Sequence, residues 1–266
     1  MLYIVGTPIG NLEDISMRAL RMLSEVDFIL CEDTRVTKKL LNHFEVKTPT
    51  ISYHQHSDIK KVDYILDLLK KGKNLALVSD AGTPGISDPG GKLVQAVIEK
   101  FGAGAQIESV PGPSAVTAAL SISGIPTDKF IFMGFLPHKK GRRKFLKKVI
   151  ESEYPVVIYE SKHRIIKLLE ELDDFNERIL KIKAELEKNN SISNFQFLIS
   201  KQFLNSNFKF TKDRFDKIKS VSSVVVAREL SKMHETVYRG GLEKIIEQIK
   251  NNKDDQKGEF VVIIGR

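Results

Sequence analysis

Short apolar runs alternate with amphipathic segments along the first half of the chain. The runs LYIV, VDFILC, TISY, NLALV and IESV are bounded by polar residues, as expected of buried strands. Between them, apolar positions recur every three or four residues, as at Val62, Ile65, Leu66 and Leu69, which indicates helices that cover a sheet. This alternation predicts a mainly parallel, open α/β sheet.

The alternation is interrupted at GIPTDKF (124–130) and then resumes. A proline between a helix of small residues and the new strand FIFMGFL indicates a domain boundary. We therefore predict an N-terminal α/β domain over residues 1–124 and a C-terminal α/β domain over residues 125–266. In the second domain, the runs YPVVIYE, SSVVVAREL and EFVVIIG are expected to form strands, and KHRIIKLLEEL and GGLEKIIEQIK helices.

Residues 176–220 differ from the rest of the second domain. They are rich in Asn, Ser, Lys and Phe and have no clear period. We interpret them as a divergent surface insertion with one helix near its start, over residues 179–186.

Composition restricts the class of protein. The chain of 266 residues is 41% apolar, which is enough for a core in one large domain or two ordinary ones. Its single cysteine, Cys31, excludes an internal disulfide and suits a reducing compartment. The N-terminal apolar run is shorter than a signal peptide, and no apolar stretch has the length of a membrane span. We therefore expect a cytoplasmic protein that does not bind a membrane.

Positive charge is concentrated in one segment. The net charge is +8, and the segment PHKKGRRKFLKK (137–148) holds seven basic residues and no acid. Such a cluster attracts phosphates, and an arginine can bind a phosphate through two parallel hydrogen bonds. A solvated helix start is the alternative. The candidate RNA-binding residues are Lys139, Lys140, Arg142, Arg143 and Lys144.

Every unusual loop follows a strand. These loops are GTPIGN (6–11), EDTR (32–35), HQHS (54–57), SDAGTPGISDPG (79–90), PGPSA (111–115), YES (159–161) and ARELSK (227–232). In α/β sheets, ligands bind outside the carboxyl ends of the strands. The sequence therefore predicts a ligand cleft at one edge of the sheet, where glycines let a ligand approach the backbone closely.

The motifs TPIGNLEDIS, CEDTR, SDAGTPGISDPG, PGPSA, YES.HR, AREL.K..E and KGE together resemble the ribosomal RNA small subunit methyltransferase I family. That family is a branch of the tetrapyrrole methylase-like superfamily, whose members use S-adenosylmethionine (SAM). The resemblance covers nearly the whole chain except about residues 176–220. It implies two α/β domains with SAM in the cleft between them, and a homodimer. The implied reaction is 2′-O-methylation of a cytidine ribose in the decoding region of small-subunit rRNA, with the assembled small subunit as the expected partner.

The resemblance also implies which residues bind the donor. Asp80 is expected in the site, although the cap of a turn or helix is its alternative role, as it is for Asp88. The full set of candidate donor-binding residues is Asp80, Ala81, Gly82, Thr83, Pro84, Ile86, Ser114, Ala115, Tyr159, Glu160, Ala227, Arg228, Glu229 and Leu230.

The acceptor side rests on weaker signals. A ribose hydroxyl is a poor acid, so its attack needs a proton acceptor or a group that orients it. Asp33 is the candidate base or orienting group, Arg35 the candidate phosphate contact, and a buried ion pair between them is the alternative. His54 and His56 are further proton acceptors near neutral pH. No third ligand accompanies the HxH pair, so we expect no metal.

Two other functions remain open from the sequence. A related methylase that acts on a small tetrapyrrole has the same fold but does not need the basic segment. A SAM-binding protein that docks on the ribosome without catalysis would bind the donor and never transfer the methyl group. Lys232 and Glu235 match the K..E spacing, and a purely structural pair is their alternative role.

Overall fold

A computed structural model describes residues 1–54, 59–88, 90–189, 195–202, 215–216, 218, 221 and 223–265. The chain divides into two compact units, Met1–Ala118 and Ala119–Arg266. This division lies six residues before the predicted domain boundary at residue 124, which stays a prediction. Within the described ranges, no helix combines the length and the apolar character needed to cross a bilayer.

The first unit is built from strands and helices in strict alternation. Its elements are β1 (Leu2–Val5), α1 (Met17–Glu25), β2 (Phe28–Cys31), α2 (Thr34–His43), β3 (Thr50–Ser52), α3 (Ile59–Lys70), β4 (Leu75–Leu77), α4 (Gly90–Phe101), β5 (Ile107–Val110) and α5 (Ala115–Ser121). Short 3₁₀ helices follow β1 (Leu12–Asp14) and α4 (Gly102–Gly104), and α5 extends across the division between the units.

The first sheet has five strands in the order β3-β2-β4-β1-β5, and all of its pairs are parallel. This confirms the parallel sheet that the sequence predicts. Ile29 and Cys31 pack with residues of α1 and α2 on one face, whereas Leu30 packs with residues of α3 and α4 on the other. Both faces are therefore covered, which explains why the strands are almost entirely apolar.

The helix positions create a crevice between β2 and β4. These strands are neighbours in the sheet. The chain leaves β2 toward α2 on one face and leaves β4 toward α4 on the other. Loops that diverge in this way open a space at the carboxyl edge, where ligands of open α/β sheets bind.

The second unit is a mixed α/β structure. Its elements are β6 (Ile131–Phe135), α6 (Arg142–Ile150), β7 (Val156–Ser161), α7 (Ile165–Asn189), α8 (Phe195–Gln202), β8 (Val224–Arg228), β9 (Thr236–Gly240), α9 (Leu242–Asn251) and β10 (Glu259–Ile264). The strand order is β6-β7-β10-β8-β9. Only β6 and β7 pair in parallel, and the other pairs are antiparallel.

Two features of this unit differ from the sequence prediction. The strand β9 was not predicted, because TVYRG (236–240) is short and lies beside the turn of a hairpin. The helix α7 runs unbroken through Asn189, and its Phe175, Ile179 and Ile182 are buried in the core of the unit.

The described part of residues 176–220 thus contributes side chains to the core as well as to the surface, which the prediction of a surface insertion did not include. Phe195, Leu198 and Phe215 are buried in the same core. Their apolar side chains lack a visible period in the sequence because they come from separate short elements that converge on one cluster. Divergence of the segment as an insertion stays a prediction, and part of it lies outside the described residues.

Candidate functional site

The loops that follow the five strands of the first sheet lie at one edge. Because all of these strands are parallel, the loops at residues 6–11, 32–33, 53–54, 79–88 and 111–114 leave the sheet on the same side. This confirms the prediction that the strand-end loops of the first half gather there. His56 lies outside the described residues.

The loop after β4, residues 79–88, is tied to the loop after β1. The Thr7 N–H donates to the Gly82 carbonyl at 2.9 Å, and the Gly82 N–H donates to the Thr7 carbonyl at 3.1 Å. The buried Thr7 hydroxyl also donates to the Ser79 carbonyl at 3.2 Å. Gly82 adopts φ +82°, a conformation that costs other residues about 1–2 kcal/mol. The loop is therefore held in a defined shape by its own backbone.

The loop after β5 makes a backbone contact with the loop after β1. A Cβ on Gly6 would lie 2.8 Å from the Gly112 Cα, and a Cβ on Gly112 would lie 2.8 Å from the Gly6 carbonyl oxygen. Only glycine allows this approach. The Thr83 hydroxyl in turn donates to the Pro113 carbonyl at 3.2 Å, so the loops after β1, β4 and β5 form one connected assembly.

The other predicted donor-binding residues of this unit lie on these loops. Ser114 precedes α5, which begins at Ala115. Ile86 is 48% exposed, whereas Pro84 is buried. Ala81 is exposed, and its carbonyl accepts a hydrogen bond from the Ser79 hydroxyl at 3.2 Å.

Two aspartates of the 79–88 loop have different roles. Asp80 is exposed and accepts a hydrogen bond from the Asp33 N–H at 3.1 Å, which links the loops after β2 and β4. Asp88 accepts from the Gly85 N–H and, at 3.0 Å, from the Gly90 N–H at the start of α4. The capping role is therefore observed for Asp88.

A small pocket opens in the crevice between β2 and β4. Its walls include Glu32, Tyr53, Leu77, Ser79, Pro84 and Asp88. Its enclosed space is only about 10 Å³, far below that of an ordinary ligand pocket, so the pocket marks a point where apolar and polar side chains converge at this edge. Among the described residues, no three His, Cys, Asp or Glu side chains are grouped to hold a metal ion.

Glu32 is the acidic group of CEDTR that faces this pocket. Partial burial raises the pKa of Glu32, the negative charges of Asp80 and Asp88 raise it further, and His54 partly offsets these effects. A carboxylate with a raised pKa is a better proton acceptor than an ordinary one. The sequence alone predicts its neighbour Asp33 as the proton acceptor. The sequence feature that indicates Glu32 is its position directly after the buried end of β2.

Asp33 and Arg35 form an ion pair at the start of α2. Asp33 caps the helix by accepting from the Arg35 N–H at 2.8 Å, and the Arg35 guanidinium reaches its Oδ2 at 2.7 Å. These hydrogen bonds lower the pKa of Asp33 to about 2. The pair is the alternative that the sequence left open, although it is exposed rather than buried, since the Arg35 side chain is 87% exposed. A carboxylate this acidic is a weak base, so the geometry favours Glu32 as the proton acceptor, while the role of Asp33 stays a prediction.

The second unit contains a buried glutamate with one unused oxygen. Glu160 is 1% exposed. Its Oε1 accepts from the Ser161 N–H at 2.7 Å and pairs with Arg164 at 2.8 Å. Its Oε2 has no hydrogen-bond partner among the described residues. Buried polar atoms are normally hydrogen-bonded, so this oxygen suits a ligand that brings an N–H or O–H group. Next to it in the chain, Tyr159 stacks edge-on against Phe132, with ring centres 4.9 Å apart.

The motif AREL mainly builds the hairpin between β8 and β9. The buried Arg228 guanidinium donates to the carbonyls of Lys257, His234 and Asp254, at 2.8, 3.0 and 2.6 Å. This side chain therefore has a structural role, and its predicted contact with the donor stays a prediction. Ala227 and Leu230 are also buried.

Lys232 and Glu235 each have structural partners, but they do not form the pair that the sequence left open. Lys232 Nζ donates to Glu229 and to Glu259, at 2.9 Å in both cases. Glu235 accepts from the Ser231 N–H at 2.7 Å. The predicted donor-binding residue Glu229 is thereby held by partners within the hairpin, and it also accepts from the Glu259 N–H at 2.8 Å.

The basic segment divides into buried and exposed residues. Arg142 is 5% exposed and pairs with Glu171 at 2.6 Å, because it lies on the face of α6 that packs against α7. This position does not favour its predicted contact with RNA, which stays a prediction. The remaining candidates, Lys139, Lys140, Arg143 and Lys144, are exposed.

Comparison with known proteins agrees with this architecture. The family model for tetrapyrrole (corrin/porphyrin) methylases matches residues 1–185. The chain resembles two solved structures over 99% of its length, with TM-scores of 0.59 and 0.57. They are a cobalt precorrin-4 methyltransferase (17% identical, 94% of that chain covered) and the uroporphyrin-III-C-methyltransferase from Thermus thermophilus (16% identical, 93% covered). At such low identity these structures support the fold alone.

Relatives with higher identity share nearly the whole chain. The ribosomal RNA small subunit methyltransferase I of Thermotoga maritima is 39% identical over 263 residues, which cover 99% of this chain and 97% of the relative. The protein of the same name from Escherichia coli O157:H7 is 39% identical over 264 residues, which cover 99% of this chain and 77% of the relative. The chain therefore belongs to the tetrapyrrole methylase family and, within it, to the ribosomal RNA small subunit methyltransferase I family.

Proposed function

We propose that the protein is a SAM-dependent methyltransferase of small-subunit rRNA, and that it methylates the ribose 2′-oxygen of a cytidine in the decoding region. The observation that carries this proposal is the 39% identity to rRNA methyltransferases over nearly the full chain. The proposed substrate would place the protein in the cytoplasm. Assembly into a homodimer stays a prediction.

The first unit suits a cationic nucleoside ligand such as SAM. The 79–88 loop exposes Ala81, Gly85 and Ile86, and Leu77 and Pro84 supply apolar walls. Glu32, Asp80 and Asp88 interact electrostatically at this edge. Their negative charge is complementary to the sulfonium and ammonium groups of SAM. Asp80 and the 81–86 loop, with Ser114 and Ala115, would hold the donor.

Residues of the second unit belong to the same proposal. Glu160 Oε2 is a buried acceptor without a partner among the described residues. It would accept a hydrogen bond from a hydroxyl or amino group of the adenosine. Tyr159 would add an aromatic surface for its base. Ala227, Glu229 and Leu230 would contribute mainly through the backbone.

We propose that Glu32 accepts the proton of the ribose hydroxyl. SAM supplies, when bound, an activated methyl group on a sulfonium sulfur. The residues of this chain must therefore position the hydroxyl, take up its proton and exclude water. The pocket position of Glu32 suits it to take up the proton, and His54 lies close enough to influence the pKa of Glu32. Arg35 would hold a phosphate of the same nucleotide region.

The proposed function is tested with labelled SAM and unmodified small ribosomal subunits, followed by mapping of the labelled nucleotide. We expect label on a cytidine ribose in the decoding region. Label on another nucleotide would overturn the proposed specificity. If the protein binds SAM but transfers no methyl group to the subunit, to free rRNA or to a corrinoid precursor, it is a ribosome-docking protein without catalysis. If it methylates the corrinoid precursor alone, it is a small-molecule methylase.

The adjacent residues Arg142 and Arg143 provide a matched test of the basic segment. We expect Arg142→Met to lower the free energy of unfolding by about 2 kcal/mol because it leaves Glu171 without its partner. This is less than for a fully buried pair, since the Glu171 side chain is 30% exposed. We expect Arg143→Met to leave stability unchanged and to weaken rRNA binding about threefold to tenfold through the loss of one phosphate contact. Thermal unfolding and rRNA titration measure the two effects. The reverse pattern would contradict this division of the segment.

A further inference from the structure

The helix α2 carries a row of basic side chains that begins at the proposed active site. It starts at Thr34, directly after Glu32 and Asp33. Arg35, Lys38 and Lys39 are exposed, and residues three and four apart lie on the same face of a helix. Thr37 and Leu41 are buried on the opposite face. The basic row therefore runs from the carboxyl edge of the sheet along the outer surface of the first unit.

Helix stability does not explain these charges. The N-terminal end of a helix carries partial positive charge and favours acidic side chains. The first turn of α2 contains no acid, and no residue of the helix is acidic. The 3₁₀ helix at Leu12–Asp14 shows the favoured pattern, with Glu13 and Asp14 in its first turn. Arg35 lies in the first turn, where the helix dipole disfavours a cation, and Lys38 and Lys39 lie mid-helix, where the dipole does not favour them.

Internal ion pairs do not account for them either. Arg35 pairs with Asp33, but among the described residues Lys38 and Lys39 have no acidic partner within 4 Å. Two other lysines of the unit do have such partners, in the pairs Lys71–Asp67 and Lys73–Asp27. The α2 row is thus a positive surface that the protein leaves unbalanced beside the site.

We propose that Arg35, Lys38 and Lys39 bind the sugar-phosphate backbone of the RNA strand that carries the target nucleotide. This inference rests on the proposed function. A phosphate chain supplies the negative charge that the exposed lysines favour. The row begins two residues after Asp33 and three after Glu32, so phosphates bound along it would lead the strand into the crevice. This surface is formed by residues of the first unit, whereas the basic segment belongs to the second.

The test is the double charge reversal Lys38→Glu/Lys39→Glu. Its matched control is Lys70→Glu/Lys100→Glu, which makes the same change at two exposed residues in the last turns of α3 and α4. Those turns lie at the opposite, amino edge of the sheet. Acidic residues in the first half of a helix suit its dipole, so the α2 variant is expected to fold. The pair Lys38→Gln/Lys39→Gln removes the charges without adding acids.

We measure the affinity for unmodified small-subunit rRNA as a function of salt, SAM binding, and methyl transfer at saturating rRNA. The α2 variants are expected to bind rRNA at least about tenfold more weakly at low salt than the control. The slope of log K against log salt should fall by about 1.4, from two lost single-strand phosphate contacts. SAM affinity should not change.

The result separates the inference from the function on which it rests. If the wild-type protein methylates rRNA while both α2 variants match the control in affinity and in salt slope, the α2 surface is overturned and the function stands. If the wild-type protein neither binds nor methylates rRNA, the proposed function fails first. If SAM affinity falls together with rRNA affinity, the lysines act through the donor site and the inference is overturned.

Discussion

Replacing Glu32 with Gln is expected to lower kcat for methyl transfer by about 100-fold, which is the lower range for the loss of a general base. Gln keeps the shape of the side chain but cannot accept the proton of the ribose hydroxyl. The affinity for SAM should change much less, because the backbone of the 79–88 loop supplies most of the proposed donor contacts. Single-turnover transfer at saturating SAM and rRNA measures the chemical step directly.

The neighbouring variant Asp33→Asn is the control for this prediction. It removes a helix cap and an ion pair, and we expect it to lose less activity than Glu32→Gln. If Asp33→Asn shows the larger loss in kcat, Asp33 is the proton acceptor and the assignment of Glu32 is wrong. Wild-type kcat in Glu32→Gln would exclude Glu32 as the base.

The pH dependence supplies a second readout of the same residue. Glu32 must be deprotonated to accept a proton, and its pKa is raised above the ordinary value of 4.5. Transfer should therefore fall as pH decreases through this raised pKa, at a higher pH than for an ordinary glutamate. This fall in rate at low pH should be absent from the residual activity of Glu32→Gln. Asp33, with a pKa of about 2, cannot produce a fall in rate above pH 4.5.

Replacing Gly112 with Ala is expected to damage both stability and donor binding. The new Cβ would lie 2.8 Å from the Gly6 carbonyl oxygen, and the two neighbouring contacts are also backbone atoms. Backbone cannot move aside as a flexible side chain can, so we expect a loss of about 1–3 kcal/mol in the free energy of unfolding. Because the loop after β1 also holds Gly82, its displacement should weaken SAM binding about tenfold or more.

The matched control is Gly104→Ala, since a Cβ at Gly104 meets nothing within 4 Å. Thermal unfolding and SAM calorimetry on both variants check the prediction. The connected loop assembly would be contradicted if Gly112→Ala matched Gly104→Ala in melting temperature and in SAM affinity. A loss of stability with unchanged SAM affinity would show that these loops support the sheet without shaping the donor site.

Much of the first unit followed from local patterns. Apolar runs separated by amphipathic helices are sufficient to predict a parallel sheet, because each strand buries both faces. The chain enters and leaves a parallel sheet in a fixed direction, so the strand-end loops had to meet at one edge. The second unit was less predictable, since its antiparallel pairs depend on β9, a short strand whose residues carry little alternation.

The sequence by itself determined the fold class of the first unit and the edge of the sheet at which its strand-end loops gather, because these depend on local periodicity and turn residues. Only the tertiary structure decided between side chains that are adjacent in sequence. Glu32 faces the pocket while Asp33 caps α2, and Arg142 is buried against Glu171 while Arg143 is exposed. Neighbouring residues of one chemical type look alike in a motif. Their roles differ because burial, hydrogen-bond partners and nearby charges are set by segments distant in the chain.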